Sequence, residues 1–426
     1  VEDTRRLRAI HVSGTNGKGS VCAFISSFLK AFGQRSGHPL KIGLYTSPHM
    51  KTIRERIRIN DSPISETAFT ERFFQVWDSL PLEPTPLLDI PRYLQLLALT
   101  SLHHFLEENV DVAILETHLG GEYDATNIIS GPLVTAVASV GLDHVRLLGP
   151  ALEDIAWHKA GIFKSGTPAF SALQNKRVSE VLRRRAKEVD VSLTFVGHDS
   201  TAQTDGHEWL PDVQKANCSL ALAVTRAWLQ SSEIVSGSEL SLDDIAQGIK
   251  AFSWPGRFQV IFDKNLCFFL DGAHNEMSVP HAARWFAERC GSMTRNRHIL
   301  IFSHFSDRDG NSLLECLART LHESQTSIHH VIMTSYEEKR DKSYRPDRNL
   351  RNRSDATKLE EYAKTWRRLD SSVQISIQNS IEDALKEARS IADTFGAAQA
   401  LVVGSLHLVS GALCLLEPDG VVYCKE

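Results

Sequence analysis

Seven consecutive residues, Gly14-Thr15-Asn16-Gly17-Lys18-Gly19-Ser20, combine three glycines, one lysine and two hydroxyls in a run suited to wrapping a phosphate. Glycines let backbone N–H groups close around phosphate oxygens, a following helix start adds partial positive charge, and Lys18 adds a full one. The spacing is G-x-x-G-K-G-S, so the hydroxyl falls one place later than in the commoner G-x-x-x-x-G-K-[ST]. An apolar, β-prone run from Ala9 to Val12 precedes the loop. Behind it, Val21, Phe24, Ile25, Phe28 and Leu29 recur at helical spacing. Strand, glycine loop and helix in that order are the context a phosphate-binding loop requires.

Further chemistry falls at the ends of other apolar runs. Lys41–Tyr45 leads into Ser47, Val110–Leu115 ends in Glu116, and Val134–Val140 leads into Asp143-His144. Singly, a strand-end glutamate is ordinarily a solvated cap and a lone histidine ordinarily structural. Jointly, Ser47, Glu116 and His144, with Ser20 as a further hydroxyl, suit Mg²⁺ bridging nucleotide phosphates while water completes the octahedron. Lys159 and Lys164 lie in an otherwise apolar stretch and cost desolvation unless partnered. From spacing alone, Lys159 reads as a lysine snorkelling to the surface. Asp271 and His274, after the run Leu266–Leu270, could hold ribose and phosphate, and Arg257 could neutralise phosphate charge.

These residues need a frame. Near-continuous apolar strands alternating with helices predict an α/β fold, with a mostly parallel sheet covered on both faces. Ligands of such sheets lie beyond the carboxyl ends of the strands, so Lys18, Ser47, Glu116 and His144 should converge. At 426 residues two domains are expected. The pattern breaks at Trp254-Pro255-Gly256-Arg257, which predicts a P-loop, ATP- and substrate-binding domain over 1–253. A smaller Rossmann-like α/β domain follows over 254–426, able to close over nucleotide bound to the first. Helices are predicted over Glu66–Trp77, Arg92–Glu108, Lys176–Val189 (a charged surface helix) and Asn217–Leu229. Arg54–Asn60 reads as a polar loop, Leu80–Pro91 as a proline-rich loop and Val196–Pro211 as irregular. Tyr336–Arg353, dense in both charge signs, reads as an exposed, solvated insertion.

Composition narrows the classes. A formal charge of -5 gives no reason to expect nucleic acid or an anionic membrane as partner. Seven scattered cysteines without a C-x-x-C argue for free thiols rather than disulfides or a zinc site. No apolar run reaches the length of a membrane span. A cytoplasmic monomer is expected. The chain starts at Val1 without methionine, which leaves open an upstream targeting segment and a mitochondrial form.

Seven ordered motifs carry a resemblance. They are the loop Gly14–Ser20, Tyr45-Thr46-Ser47-Pro48-His49, Asp124-Ala125-Thr126-Asn127, Gly141-Leu142-Asp143-His144, His158–Lys164, Trp254–Arg257 and Asp271-Gly272-Ala273-His274-Asn275. The chain resembles folylpolyglutamate synthase, a member of the Mur ligase group, and looks closer to its eukaryotic members. The resemblance implies an ATP-dependent amide ligase: a folate-like carboxylate takes the γ-phosphate of ATP, and the amine of a glutamate-like amino acid displaces phosphate. It further implies that Lys18, His144 and Lys159 are catalytic, and that Lys18 with Gly14, Thr15, Asn16, Gly17, Gly19 and Ser20 holds the triphosphate. Ser47, Glu116 and His144 would hold Mg²⁺, and Lys159 matches the lysine that family members carbamylate. Asn217 matches a residue near adenine, and Arg257, Asp271 and His274 match contacts to ATP from the second domain. Tyr93, Leu94, His118 and Asp124 fall where the acid substrate is expected. Two places depart from the family pattern: His118 stands where E-x-G-x-G-G has glycine, and Tyr93-Leu94-Gln95-Leu96 replaces an aromatic F-E-F stretch. An alternative keeps the ligation and changes the acid and the amine; a third reading is a nucleotide-binding protein without ligase activity.

Overall fold

The computed structural model describes residues 2–80, 91–203, 210–235, 238–290, 297–306, 309–346, 348 and 354–422. The chain divides into two units: Val1–His49 with Arg54–Ser253, and Met50–Ile53 with Trp254–Glu426. Four residues, Met50–Ile53, thus leave the first unit and group with the second, an excursion that a single boundary at 254 does not contain.

In the first unit, the strands are β1 (Ile10–Ser13), β2 (Ile42–Tyr45), β3 (Ile57–Ile59), β4 (Ser62–Pro63), β5 (Val112–Glu116), β6 (Val134–Val137), β7 (Ala169–Ala172) and β8 (Leu193–Val196). They form one sheet in the order β4-β3-β2-β5-β1-β6-β7-β8. Pairing is parallel from β2 through β8, and β3 and β4 add an antiparallel edge. Strands β1, β2, β5 and β6 are buried at every residue, which is why they read as apolar runs rather than alternating ones. The register pairs Val12 with Glu116 and Ser13 with Val137, so the glycine loop leaves the sheet between the ends of β5 and β6. The helices are α1 (Lys18–Ser36), α2 (Glu66–Ser79), α3 (Tyr93–Glu107), α4 (Val145–Leu148), α5 (Leu152–Ala160), α6 (Lys176–Glu188), α7 (Asp212–Ser231) and α8 (Leu242–Ala251). Helix α6 buries Val178, Val181, Leu182 and Ala186 along one face and exposes Lys176, Arg177, Arg183, Arg184 and Lys187, while Arg185 lies over the Trp157 ring and pairs with Glu122.

The second unit carries β9 (Gln259–Asp263), β10 (Leu266–Leu270), β11 (Arg297–Phe302), β12 (His330–Thr334), β13 (Gln374–Gln378) and β14 (Ala398–Val403) in the order β13-β12-β11-β14-β10-β9. Among the described residues of this unit, β9 alone runs antiparallel to its neighbour. Helices α9 (Val279–Cys290), α10 (Gly310–Glu323), α11 (Ala356–Leu369), α12 (Ile381–Phe395) and α13 (Leu406–Leu416) cover this sheet. Among the described residues, no helix is long and apolar enough to cross a membrane.

Several elements differ from the sequence reading. Within Arg54–Asn60 the chain makes a 3-10 turn, Ile53–Arg56, and then pairs as β3 with β2. Strands β7, β8 and β13 are weakly patterned and are defined by partners distant in sequence, while β9 pairs with β10 as a hairpin across Lys264-Asn265. The proline-rich reading at Leu80–Pro91 falls mainly on 81–90, and part of Val196–Pro211 on 204–209; both lie outside the described residues.

The expected solvated insertion at Tyr336–Arg353 holds at Arg340, Asp341, Lys342 and Pro346, which are exposed, and is overturned at four other residues. Tyr336, Glu338, Ser343 and Arg345 are buried. Arg345 pairs with Glu338 through Nη2 at 2.7 Å and Nε at 3.0 Å. It also donates to the carbonyls of Met50 and Lys51 at 2.8 and 2.6 Å and to Ser410 Oγ at 2.7 Å. Arg348 joins the same carboxylate. Mixed charge here signals internal pairing: a guanidinium that spends its donors on acceptors tolerates burial that a solvated reading excludes.

Candidate active site

The loop between β1 and α1 keeps its shape through two glycines with positive φ, Gly14 at 148° and Gly17 at 87°. A side chain at Gly14 would strike Ala138, and one at Gly17 would strike the Asn217 amide. Thr15 and Asn16 donate their backbone N–H groups to the Ser139 carbonyl at 2.7 and 3.2 Å, tying the loop to the chain beyond β6. Thr15 Oγ1 donates to Gly141 O and accepts from Gly141 N, both at 3.0 Å. Gly17 caps α1 in the left-handed conformation without a side-chain cap bond, so no side chain competes for the first-turn N–H groups.

Lys18, Ser47 and Glu116 stand together. Lys18 Nζ donates to the carbonyls of Gly14 and Thr15 at 3.0 and 3.4 Å and lies 3.9 Å from Glu116 Oε1. Glu116 is buried, and its Oε2 accepts the Ser47 backbone N–H at 3.1 Å. Ser20 Oγ accepts from Gln214 Nε2 at 3.2 Å, and Gln214 Oε1 accepts from Asn217 Nδ2 at 2.8 Å. Gln214 had no signal in the sequence reading; it is one more polar residue on α7, placed by its packing against α1.

Lys159 corrects the snorkelling reading. It is 3% exposed on α5, and its Nζ donates to Gly14 O at 2.7 Å. Burial, then the neighbouring Lys18 charge, push its pKa well below the ordinary lysine value, against Asp143 and Asp124.

His144 stands apart in exposure. It has φ 50°, its side chain is 45% exposed, and its Nε2 lies 3.8 Å from Asp143 Oδ2. Among the described residues no group of three or more His, Cys, Asp and Glu could hold a metal ion by itself. The carboxylate of Glu116 with the hydroxyls of Ser47 and Ser20 is a hard, sparse donor set. Such a set fits an ion that keeps phosphate and water ligands, as Mg²⁺ does, and not one that needs a protein cage.

The four residues expected near the acid substrate divide. Tyr93 and Leu94, in the first turn of α3, are 52% and 37% exposed. His118 and Asp124 belong to the frame: Asp124 accepts from the His118 and Leu119 N–H groups at 2.8 Å, from Thr126 N–H at 3.0 Å and from Thr126 Oγ1 at 2.7 Å. Burial pushes the Asp124 pKa up, but these bonds and His118 outweigh it and hold the carboxyl well below its usual range. His118 Nε2 lies 2.6 Å from the Tyr45 hydroxyl and its Nδ1 3.5 Å from Asp124 Oδ1. The ring thus occupies the frame between β2 and the loop after β5.

In the second unit, Asp271 is buried and accepts the N–H groups of Phe258 and Ala273, both at 2.9 Å. Burial raises its pKa, opposed by the Arg257 charge. Arg257 Nη1 donates to Gly256 O at 3.2 Å, and His274 Nδ1 to Gly272 O at 2.8 Å.

A glycine loop thus leaves the centre of a parallel sheet with a carboxylate and a desolvated lysine beside it, and a second α/β unit follows in the chain. Comparison with known proteins narrows this. A Neurospora crassa protein named folylpolyglutamate synthase is 38% identical over 437 residues, spanning 98% of this chain and 82% of its own. A Schizosaccharomyces pombe protein named probable folylpolyglutamate synthase is 36% identical over 432 residues, spanning 97% and 85%. Residues 257–415 match the family model described as dihydrofolate synthetase, C-terminal domain. E. coli FolC, solved in complex with DHPP and ADP, superposes with a TM-score of 0.75 at 27% identity, covering 98% of this chain and 91% of that one. The bifunctional folylpolyglutamate synthase/dihydrofolate synthase of Yersinia pestis, complexed with AMPPNP and Mn ion, gives 0.73 at 29% identity over 97% and 91%. The chain belongs to the folylpolyglutamate synthase family, ATP-dependent ligases that join an acid to an amino acid through a carbon–nitrogen bond.

Proposed function

We propose that this chain adds glutamate to the γ-carboxylate of a folate, with the loop Gly14–Ser20 as the seat of the ATP phosphates. The observation that carries the residue assignment is the convergence of Lys18, Lys159, Ser47 and Glu116 on the loop that begins at Gly14. Lys18 neutralises phosphate charge, while the loop amides of Gly14, Thr15, Asn16, Gly17, Gly19 and Ser20 hold the oxygens. Glu116 and Ser47, with His144, are the residues that would hold Mg²⁺, which supplies charge neutralisation on the phosphates when bound. Lys159 is suited to carbamylation because burial favours its unprotonated amine, the form that reacts with carbon dioxide; the product is an anion in place of a cation. Asn217 is assigned to the adenine, and Arg257, Asp271 and His274 are the second unit's residues offered to ATP. Tyr93 and Leu94 offer an apolar surface to the folate. Catalysis is then positioning and charge stabilisation, with little proton chemistry by the protein.

The test is direct: purified protein with ATP, Mg²⁺, glutamate and tetrahydrofolate. Folate-dependent release of ADP and a product heavier by one glutamyl unit support the reading. ADP release independent of folate, or none in its presence, overturns it.

A further inference from the structure

Arg56 is a buried cation to which no described residue supplies a counter-charge. It ends the 3-10 turn before β3 and is 7% exposed. Its Nε donates to His49 Nδ1 at 3.0 Å, and its guanidinium carbon lies 5.9 Å from the centre of the Tyr93 ring. Its Nη1 is enclosed with no acceptor, and among the described residues no carboxylate pairs with it. Arg345, equally buried, shows the ordinary solution, with donors spent on Glu338, two carbonyls and a hydroxyl. A buried charge lacking such partners is costly, and a ligand that brings an anion relieves that cost.

Its position ties it to the reaction. The Arg56 carbonyl accepts the Thr46 N–H at 3.1 Å, one residue before Ser47, and Tyr45 pairs with Ile57 across the β2–β3 ladder. Arg56 therefore belongs to the strand end that carries Ser47. Beside it, Tyr93 is half exposed and offers an aromatic face. A planar guanidinium next to an accessible ring suits a ligand with a flat apolar body and a carboxylate, which the guanidinium can take bidentately.

We infer that Arg56 is the counter-charge for the substrate carboxylate that the ligation leaves unactivated. This rests on the folate reading: when the γ-carboxylate of the terminal glutamyl unit is activated, its α-carboxylate is the anion that Arg56 takes. Arg56 then selects acids carrying a second carboxylate.

The experiment measures calorimetric binding of tetrahydrofolate and of its α-carboxamide analogue to the wild-type chain, Arg56→Gln and Arg56→Lys. The wild type should prefer the acid by about 30-fold or more, as expected when one partner of an enclosed charge pair is removed. Arg56→Gln should bind the acid as weakly as the amide while keeping amide affinity, and Arg56→Lys should recover part of the preference. In turnover the loss should fall on KM for folate with kcat largely kept. Equal losses for acid and amide, or an undiminished preference in Arg56→Gln, overturn the assignment. Should Arg56→Gln fail to fold, Arg56→Lys decides alone, since an unchanged preference there removes the bidentate contact. If the wild type binds neither compound, the folate reading itself fails, and that outcome is distinct from a preference indifferent to Arg56.

Discussion

Lys18 and Lys159 donate to one oxygen. The Gly14 carbonyl accepts Lys18 Nζ at 3.0 Å and Lys159 Nζ at 2.7 Å, although 141 positions separate the two lysines in the chain (159 − 18). Two full charges on one carbonyl repel, and burial falls on Lys159, so that lysine is the one driven toward the neutral amine. In the proposed function Lys18 is the residue offered to phosphate.

This division of labour makes the first prediction. Lys159→Ala should bind ADP within a few-fold of wild type while turnover falls by about 100-fold or more, the usual scale for losing one preorganised transition-state group. Lys18→Met should lose nucleotide affinity. Equilibrium ADP binding beside steady-state rates checks both, and loss of ADP affinity in Lys159→Ala would contradict the division.

Tyr45, His118 and Asp124 form a second unit of behaviour. With His118 Nδ1–H toward Asp124, Nε2 accepts from the Tyr45 hydroxyl at 2.6 Å. Tyr45→Phe leaves that nitrogen enclosed without a donor and should cost about 1–3 kcal/mol. His118→Gln should cost a similar amount, and the double variant little more than either alone, because both remove the same bond. Denaturant unfolding of the three variants measures this; additive losses would show that the bond is not shared.

The Arg345–Glu338 pair predicts a stability effect in the second unit. Arg345→Met leaves the buried Glu338 carboxylate to Arg348 and takes one donor from each of two carbonyls, and should cost about 2–3 kcal/mol. Hydrogen exchange should rise at amides of Met50–Ile53, where the Met50 and Lys51 carbonyls each lose the Arg345 donor while Met50 O keeps Ser410 Oγ. Unchanged stability and exchange would restore the solvated reading of this segment.

His11, fully buried on β1, gives a pH signature. Its Nε2 lies 2.8 Å from Thr126 Oγ1, and burial pushes its pKa from 6.5 down to about 4, with Asp124 opposing and Lys164 and His118 assisting. The unfolded chain binds the proton first, so this contribution is complete above pH 6.5 and is lost as pH falls toward 4. The loss should reach about 3 kcal/mol by pH 4 relative to His11→Gln, which has no proton to bind. Unfolding free energies of the two chains across that window measure it; parallel curves would mean that His11 is not held neutral.

The sequence by itself determined what is local or periodic. The glycine spacing at Gly14 and Gly17 dictates a loop only glycine can form, and the fully apolar runs at β1, β2, β5 and β6 dictate a central parallel sheet. Strand ends then bring Lys18, Ser47 and Glu116 to one edge without further information. Only the tertiary structure decided the rest. Whether Lys159 reaches water depends on a carbonyl 145 positions away, and whether Glu338 and Arg345 are solvated depends on which acceptors enclose them. Arg56 and His118 carry no periodicity, so nothing near them in the chain states their burial. A charge is solvated or buried according to its whole surroundings, and those surroundings are assembled from segments far apart in sequence.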